Sequence, residues 1–490
     1  MRKSLLQKQV HNRLSGITII LLAVSLSYGC EHKQDLPEPS TDYPKEIEAI
    51  IIPECASSGC HNTTSKDAAG GLNLSTWENL FEGSRAGAAA IPFRPDFSTL
   101  CYYTNTDTSQ GIALQPTMPY NSAPLSAAEY MTLKNWIQNG APDISGFVKF
   151  SDYQNKPKLY ISNRGCDVVT VMDPVSGLAM RYIDVGISSA IEGPAMVKVS
   201  PDKSHWYVIF EPGSVIQKFR TSDNTKVGEL NLSYGFWSSM CITANSKNAF
   251  LTDANITGRI VYVDLENMQV VTSYSSGLNS PFNGVISNSN TLYVTSKVGN
   301  FIYKIDVSDP LNPQIQEISL ETGVAPSNAP SLEPYHILLS SDETNYFVTC
   351  HSSSELRIMQ SNNDSLIGTV TIGSNPAEMA MSDNTPYLFI SCLGVPGTIK
   401  VSVINVFDYN SGILLPEIIA GHDSKGIIAD ETSNRLYVAN RNVTSGGPAA
   451  HHEPVCDGKN GFITAIDLAT LQLVPGFKVE LSVDPYHIGK

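Results

Sequence analysis

The chain has 490 residues, 42% apolar and 16% charged, a globular composition that argues against disorder and leaves room for two or three domains. Its formal net charge of −15 argues against nucleic acid as a partner, because a polyanion would repel it.

The first thirty residues differ from the rest. Arg2, Lys3, Lys8 and Arg13 form a basic stretch without acids, and Ile17 to Leu26 form a short apolar core. Ser27, Tyr28 and Gly29 then lead into Cys30. This order reads as a secretory signal over residues 1–29, too short for a stable membrane span. The Gly29-Cys30 junction resembles a bacterial lipobox, with Ser27 where an aliphatic residue is usual. The resemblance implies that Cys30 is acylated, anchors the chain to a membrane and places it in a bacterial cell envelope. Cleavage near Gly29 without lipid is the alternative. Losing four of the 32 basic residues leaves 28 against 47 acids, a net charge of −19. Residues 30–43 are polar and proline-bearing and read as a tether. Export also permits disulfides.

Residues 44–145 read as a small all-α domain. Cys55 and Cys60, with His61 directly after the second thiol, have the chemistry of covalent haem attachment. Two thiols add across the vinyl groups and the imidazole binds iron. The usual spacing has two residues between the cysteines, and here there are four. A Cys55–Cys60 disulfide or a metal site is the alternative. Ser75 to Glu78 and Ser126 to Glu129 read as capping boxes that start helices. The second helix presents Tyr130, Leu133, Trp136 and Ile137 on one face, suited to a helix bearing Ile47, Ile50 and Ile51. Residues 47–143 resemble the small cytochrome c domains of planctomycete and related bacterial proteins. The resemblance rests on Ile51 to Cys55, Cys60-His61-Asn62, Gly70 to Leu74, Met118-Pro119, Leu125 to Glu129 and Trp136 to Pro142. It implies one covalent haem c, with Met118 as the second axial ligand opposite His61.

Residues 150–490 are repetitive. A five-residue apolar run recurs at Leu159, Trp206, Ala249, Leu292, Tyr346, Leu388 and Leu436, with starts 47, 43, 43, 54, 42 and 48 residues apart. About four strands at this period mean propeller blades, and seven runs mean seven blades. The pattern resembles the YVTN family of β-propellers. Asp484 to Ile488 matches Glu333 to Ile337, which starts an innermost strand, so the C-terminal strand is expected to complete the first blade.

This register puts His336, His422 and His487 at innermost-strand starts, and His351, His451 and His452 in second-to-third-strand loops on the same face. Only His205 maps to the opposite face. His336, Glu378, His422 and His487 are therefore expected to form a sector at the channel mouth. They are candidates for a second transition-metal site, with a water-filled polar channel as the alternative. Cys166 and Cys456 fall in loops of the first and seventh blades, which adjoin at closure, and are expected to pair. Cys350 and Cys392 pair or stay free, and Cys101 and Cys241 have no evident partner.

The function expected from these readings is haem-based electron transfer in the cell envelope. The propeller would dock a redox partner protein or host a second redox module. A metal-dependent oxidoreductase and a non-catalytic protein- or glycan-binding propeller are the rivals. No motif of a hydrolase or kinase is present.

Overall fold

The structure, a computed structural model, describes residues 40–151, 157–394, 401–450 and 455–490. The signal segment, Cys30, His451 and His452 lie outside the described residues.

Each apolar run forms the second strand of a blade, and the middle of each such strand is buried on both faces. A strand sandwiched between neighbouring blades has no polar face, which is why it reads as a continuous apolar run rather than an alternation. Seven antiparallel sheets result, and the chain is a seven-bladed β-propeller. The inner strand of blade one is Pro485–Gly489, paired with Leu159–Asn163, so the C-terminal strand closes the ring. Blade six departs from four strands, because its outer edge is split into Ile413–Leu414 and Ile418–His422, both paired with Val401–Asp408.

The inner strands share one device. In six blades the residue before the strand has a left-handed backbone: Gly193, Ser280, Glu333, Asn375, Asp423 and Asp484, with φ between 46° and 68°. Five of the six are not glycine, and Asn and Asp are the side chains that best tolerate this conformation. Its carbonyl accepts the N–H of the residue that follows the second strand, as in Arg164 to Asp484 at 2.8 Å and His351 to Glu333 at 2.9 Å. The inner strand then bulges at its second and third residues, freeing one N–H from the ladder.

In blades four to six a hydroxyl in the apolar run uses that N–H. Thr349 Oγ1 accepts from His336 N at 3.0 Å and donates to Ala377 O of blade six at 3.2 Å. Thr295 and Ser391 do the same toward Tyr335 and Lys425. The hydroxyl satisfies two buried backbone groups and ties one blade to the next. Thr349→Val should therefore cost about 1–3 kcal/mol, because the isostere leaves both unpaired. A urea midpoint equal to wild type would refute this.

The helical segment has α1 (Lys45–Glu54), α2 (Trp77–Leu80), α3 (Thr99–Thr104) and α4 (Ala127–Gln138). Ile47, Ile50 and Ile51 pack with Tyr130, Leu133, Trp136 and Ile137 in one buried cluster. Ser126 and Glu129 form the expected capping box. The other helix start is corrected. Asn73 Oδ1 holds the Ser75 N–H, so the N-cap moves to Thr76, whose hydroxyl accepts from Asn79 N. Glu78 pairs with Lys149 instead of closing a box. The segment rests on blade one. Phe97 stacks on Tyr182 with centroids 4.2 Å apart, and Arg94 reaches Tyr182 O at 3.0 Å and Asp184 at 2.8 Å. Cys166 and Cys456 are joined in a disulfide in the same apolar cluster as Ile91 and Phe97.

Candidate functional site

Two places carry chemistry. The first begins where α1 ends. Pro53 lies in its last turn, and the chain then folds back so that Cys60 N donates to Ser57 O at 3.0 Å and His61 N to Cys55 O at 2.9 Å. This turn brings His61 beside Cys55. Leu74 N donates to His61 O at 2.7 Å, and Met118 N to Tyr103 O at 2.7 Å. Cys55, His61 and Met118 line one cavity, otherwise walled by apolar groups such as Leu72, Leu74, Ala86 and Leu100. Cys55 is 5% exposed and Cys60 is half-buried, and the two thiols are not joined to each other. Burial, with Glu54 and Cys60 nearby, pushes the Cys55 thiol up to about 12. Burial lowers the His61 pKa, against the pull of the Leu72 and Ala69 carbonyls. Its Nδ1 is buried without a hydrogen-bond partner.

A haem c group suits these residues. Two unjoined thiols, an imidazole and a thioether are its donor set, and an apolar cavity is what a porphyrin face needs. The orphaned imidazole nitrogen is the kind of atom a prosthetic group satisfies.

The second place is the channel mouth. The third residue of the inner strand is His336 in blade five, Glu378 in blade six and His487 in blade one. In blade seven it is Gly426. A Cβ there would lie 2.8 Å from Tyr486 O, so the approach of blade one forbids a side chain. The second residues include Tyr335, Lys425 and Tyr486. Lys425 Nζ bonds Glu378 Oε1 at 2.7 Å, with both side chains under a tenth exposed. Lys425 Nζ also sits 3.7 Å from the Tyr486 ring centre, which Arg164 and Arg441 approach to 4.7 and 4.9 Å.

The electrostatics are decisive about charge states. Burial would raise Glu378, but Lys425, then His487 and His336, overcome it and hold its pKa at about 2. Burial would lower Lys425, and Glu378 raises it instead. Burial drives His336 down to about 4 and His487 down to about 3, with Lys198 and Lys425 adding to the effect against Glu378. At neutral pH an ionised Glu–Lys pair thus stands beside two neutral imidazoles.

The structure brings His336, Glu378 and His487 together but not His422. That residue ends the outer strand of blade six, and its Nε2 meets Thr444 Oγ1 at 2.9 Å, in a network with Asp423. Among the described residues no three His, Cys, Asp or Glu side chains are grouped to hold a metal ion, and Glu378 is engaged by Lys425. His351 lies on the same face, stacked on Tyr335 at 5.0 Å. Sequence reasoning passed over Lys425 and the residues directly after the apolar runs. The segment Asp423-Ser424-Lys425-Gly426-Ile427 aligns with Asp484-Pro485-Tyr486-His487-Ile488 and could have found the first.

No family model matches this chain, and no curated protein matches it in sequence. Solved structures do share its architecture. One is Kuenenia stuttgartiensis hydrazine synthase, 14% identical, with a TM-score of 0.48 over 62% of this chain and 91% of that one. Another is a functionally unknown protein from Desulfotomaculum acetoxidans DSM 771, 11% identical, with a TM-score of 0.50 over 67% of this chain and all of that one. At such identities the likeness shows the propeller fold alone.

Proposed function

We propose that this protein is an exported, lipid-anchored c-type cytochrome that transfers electrons in a bacterial cell envelope, with its propeller as the docking module for a redox partner protein. The observation that carries this reading is the convergence of Cys55, His61 and Met118 on one apolar cavity, with Cys60 alongside and both thiols unjoined. Cys55 and Cys60 would hold haem c through thioether bonds, and His61 and Met118 would be its axial ligands. When bound, the group supplies one-electron exchange at iron. The chain's own part is to exclude water with Leu72, Leu74 and Leu100, to fix the His61 backbone through Cys55 and Leu74, and to anchor the Met118 backbone on Tyr103. The resemblance to YVTN propellers and the lipobox-like Cys30 belong to the same reading.

Protein made with haem-maturation factors should keep a haem-derived mass and a pyridine haemochrome spectrum after denaturation. Cys55→Ala with Cys60→Ala should abolish both. Met118→Ala should remove the weak far-red sulfur-to-iron band of the oxidised protein. A haem-free mass from the matured wild type would overturn the proposal.

A further inference from the structure

The channel mouth holds more positive charge than it pairs. The chain as a whole carries −15, yet three cations around this opening have no carboxylate partner among the described residues. Arg164 donates its Nη2 to the Glu211 carbonyl at 2.9 Å. Lys297 lies over the rings of Phe282 and Tyr335, at 4.4 and 5.8 Å. Lys198, in the inner strand of blade two, acts on both His336 and His487. The carboxylates nearby are taken, Glu378 by Lys425 and Asp484 by Arg441 at 2.6 Å.

Hydrogen-bonding groups at the same place are left over. Tyr486 is 7% exposed and Tyr335 is half-buried, and the hydroxyl of neither bonds to the protein among the described residues. The two influence each other and Lys425, so these groups share one small region. Behind them Nδ1 of His336 and of His487 is buried without a partner, and His487 is 6% exposed. A buried polar atom without a partner costs about 1–3 kcal/mol, and four such groups around one opening form the wall of a binding site rather than a packed core.

We infer that the channel mouth binds a small anion, a carboxylate or an inorganic oxyanion, whose oxygens accept hydrogen bonds from Tyr335 Oη and Tyr486 Oη within the field of Arg164, Lys198 and Lys297. The chemistry excludes the opposite charge, because a bare cation would meet Lys198 and Lys425 at close range. It also suits the Glu378–Lys425 pair. That pair holds Lys425 in place, so the charge is set before the anion arrives and the site needs little reorganisation.

Calorimetric titration of the full-length protein with inorganic phosphate and, separately, with succinate tests this. One or both should bind with one-to-one stoichiometry, and the two arms distinguish an oxyanion from a carboxylate. Tyr335→Phe with Tyr486→Phe keeps both rings and should weaken binding about tenfold through loss of two charge-assisted hydrogen bonds. Arg164→Gln with Lys297→Gln should weaken it as well, with the wild-type unfolding midpoint retained. Absence of binding to both anions at millimolar concentration would overturn the inference. So would affinity that neither double variant alters, or one zinc ion bound in place of the anions and lost in His336→Ala with His487→Ala. None of these readouts depends on haem absorbance, so the site stands or falls apart from the electron-transfer reading.

Discussion

Glu378→Ala should lower folding stability by about 3–5 kcal/mol, the largest single-residue loss expected in the propeller, because it strands the buried Lys425 ammonium without its carboxylate. Glu378→Gln with Lys425→Met removes both charges and should recover most of that loss. The same cluster sets an acid limit. Glu378 is held at about 2 against an ordinary 4.5, so its contribution is complete above pH 4.5 and is lost as pH falls toward 2. The imidazoles act earlier. His336 and His487 are held at about 4 and about 3 against an ordinary 6.5. Below pH 6.5 the unfolded chain takes up protons that the folded chain refuses, and stability falls until each folded value is passed. Urea unfolding across that window should show a stability slope approaching two protons per molecule. His336→Gln with His487→Gln should flatten it. A wild-type slope no steeper than the variant's would show that the imidazoles are not sealed as described.

Cys166→Ser with Cys456→Ser should cost about 2–5 kcal/mol and lower the urea midpoint without changing the slope of the transition. The bond joins residues 290 apart and links the loops of blades seven and one where the ring closes. It also underlies the contact of the helical segment, since Ile91 and Phe97 pack in its cluster. Equal midpoints for the oxidised wild type and the double variant would show that closure rests on the strand pairing of Pro485–Gly489 alone.

Much of this architecture was legible in the sequence because a strand buried on both faces leaves an unmistakable mark. Each apolar run became a second strand, and the repeated Pro-Tyr-His-Ile at 334–337 and 485–488 announced the closing strand. Proline also set the inner-strand register in blades five, six and one, which is why His336, Glu378 and His487 were placed together. Blade seven starts with Ser424, so the register slipped there. His422 was brought to the mouth while Lys425, which occupies it, was passed over. The charge at the mouth was hidden for a different reason. Arg164, Lys297 and Arg441 each follow an apolar run, and a surface charge after a strand looks ordinary until seven such positions are folded into a ring. In the helical segment Cys55, His61 and Met118 were conspicuous by type and spacing, whereas the start of α2 depended on which backbone N–H the Asn73 side chain chose.

The closing strand changes how this repeat array would come apart. An open solenoid frays from its ends, because a terminal repeat has one neighbour where the others have two. Here blade one borrows its innermost strand from the far end of the chain, so no blade is terminal and fraying has no obvious place to start. The ring yields instead at its thinnest link. That is blade six, where the outer edge is interrupted between Leu414 and Ile418 and the sheet has least backbone to hold it.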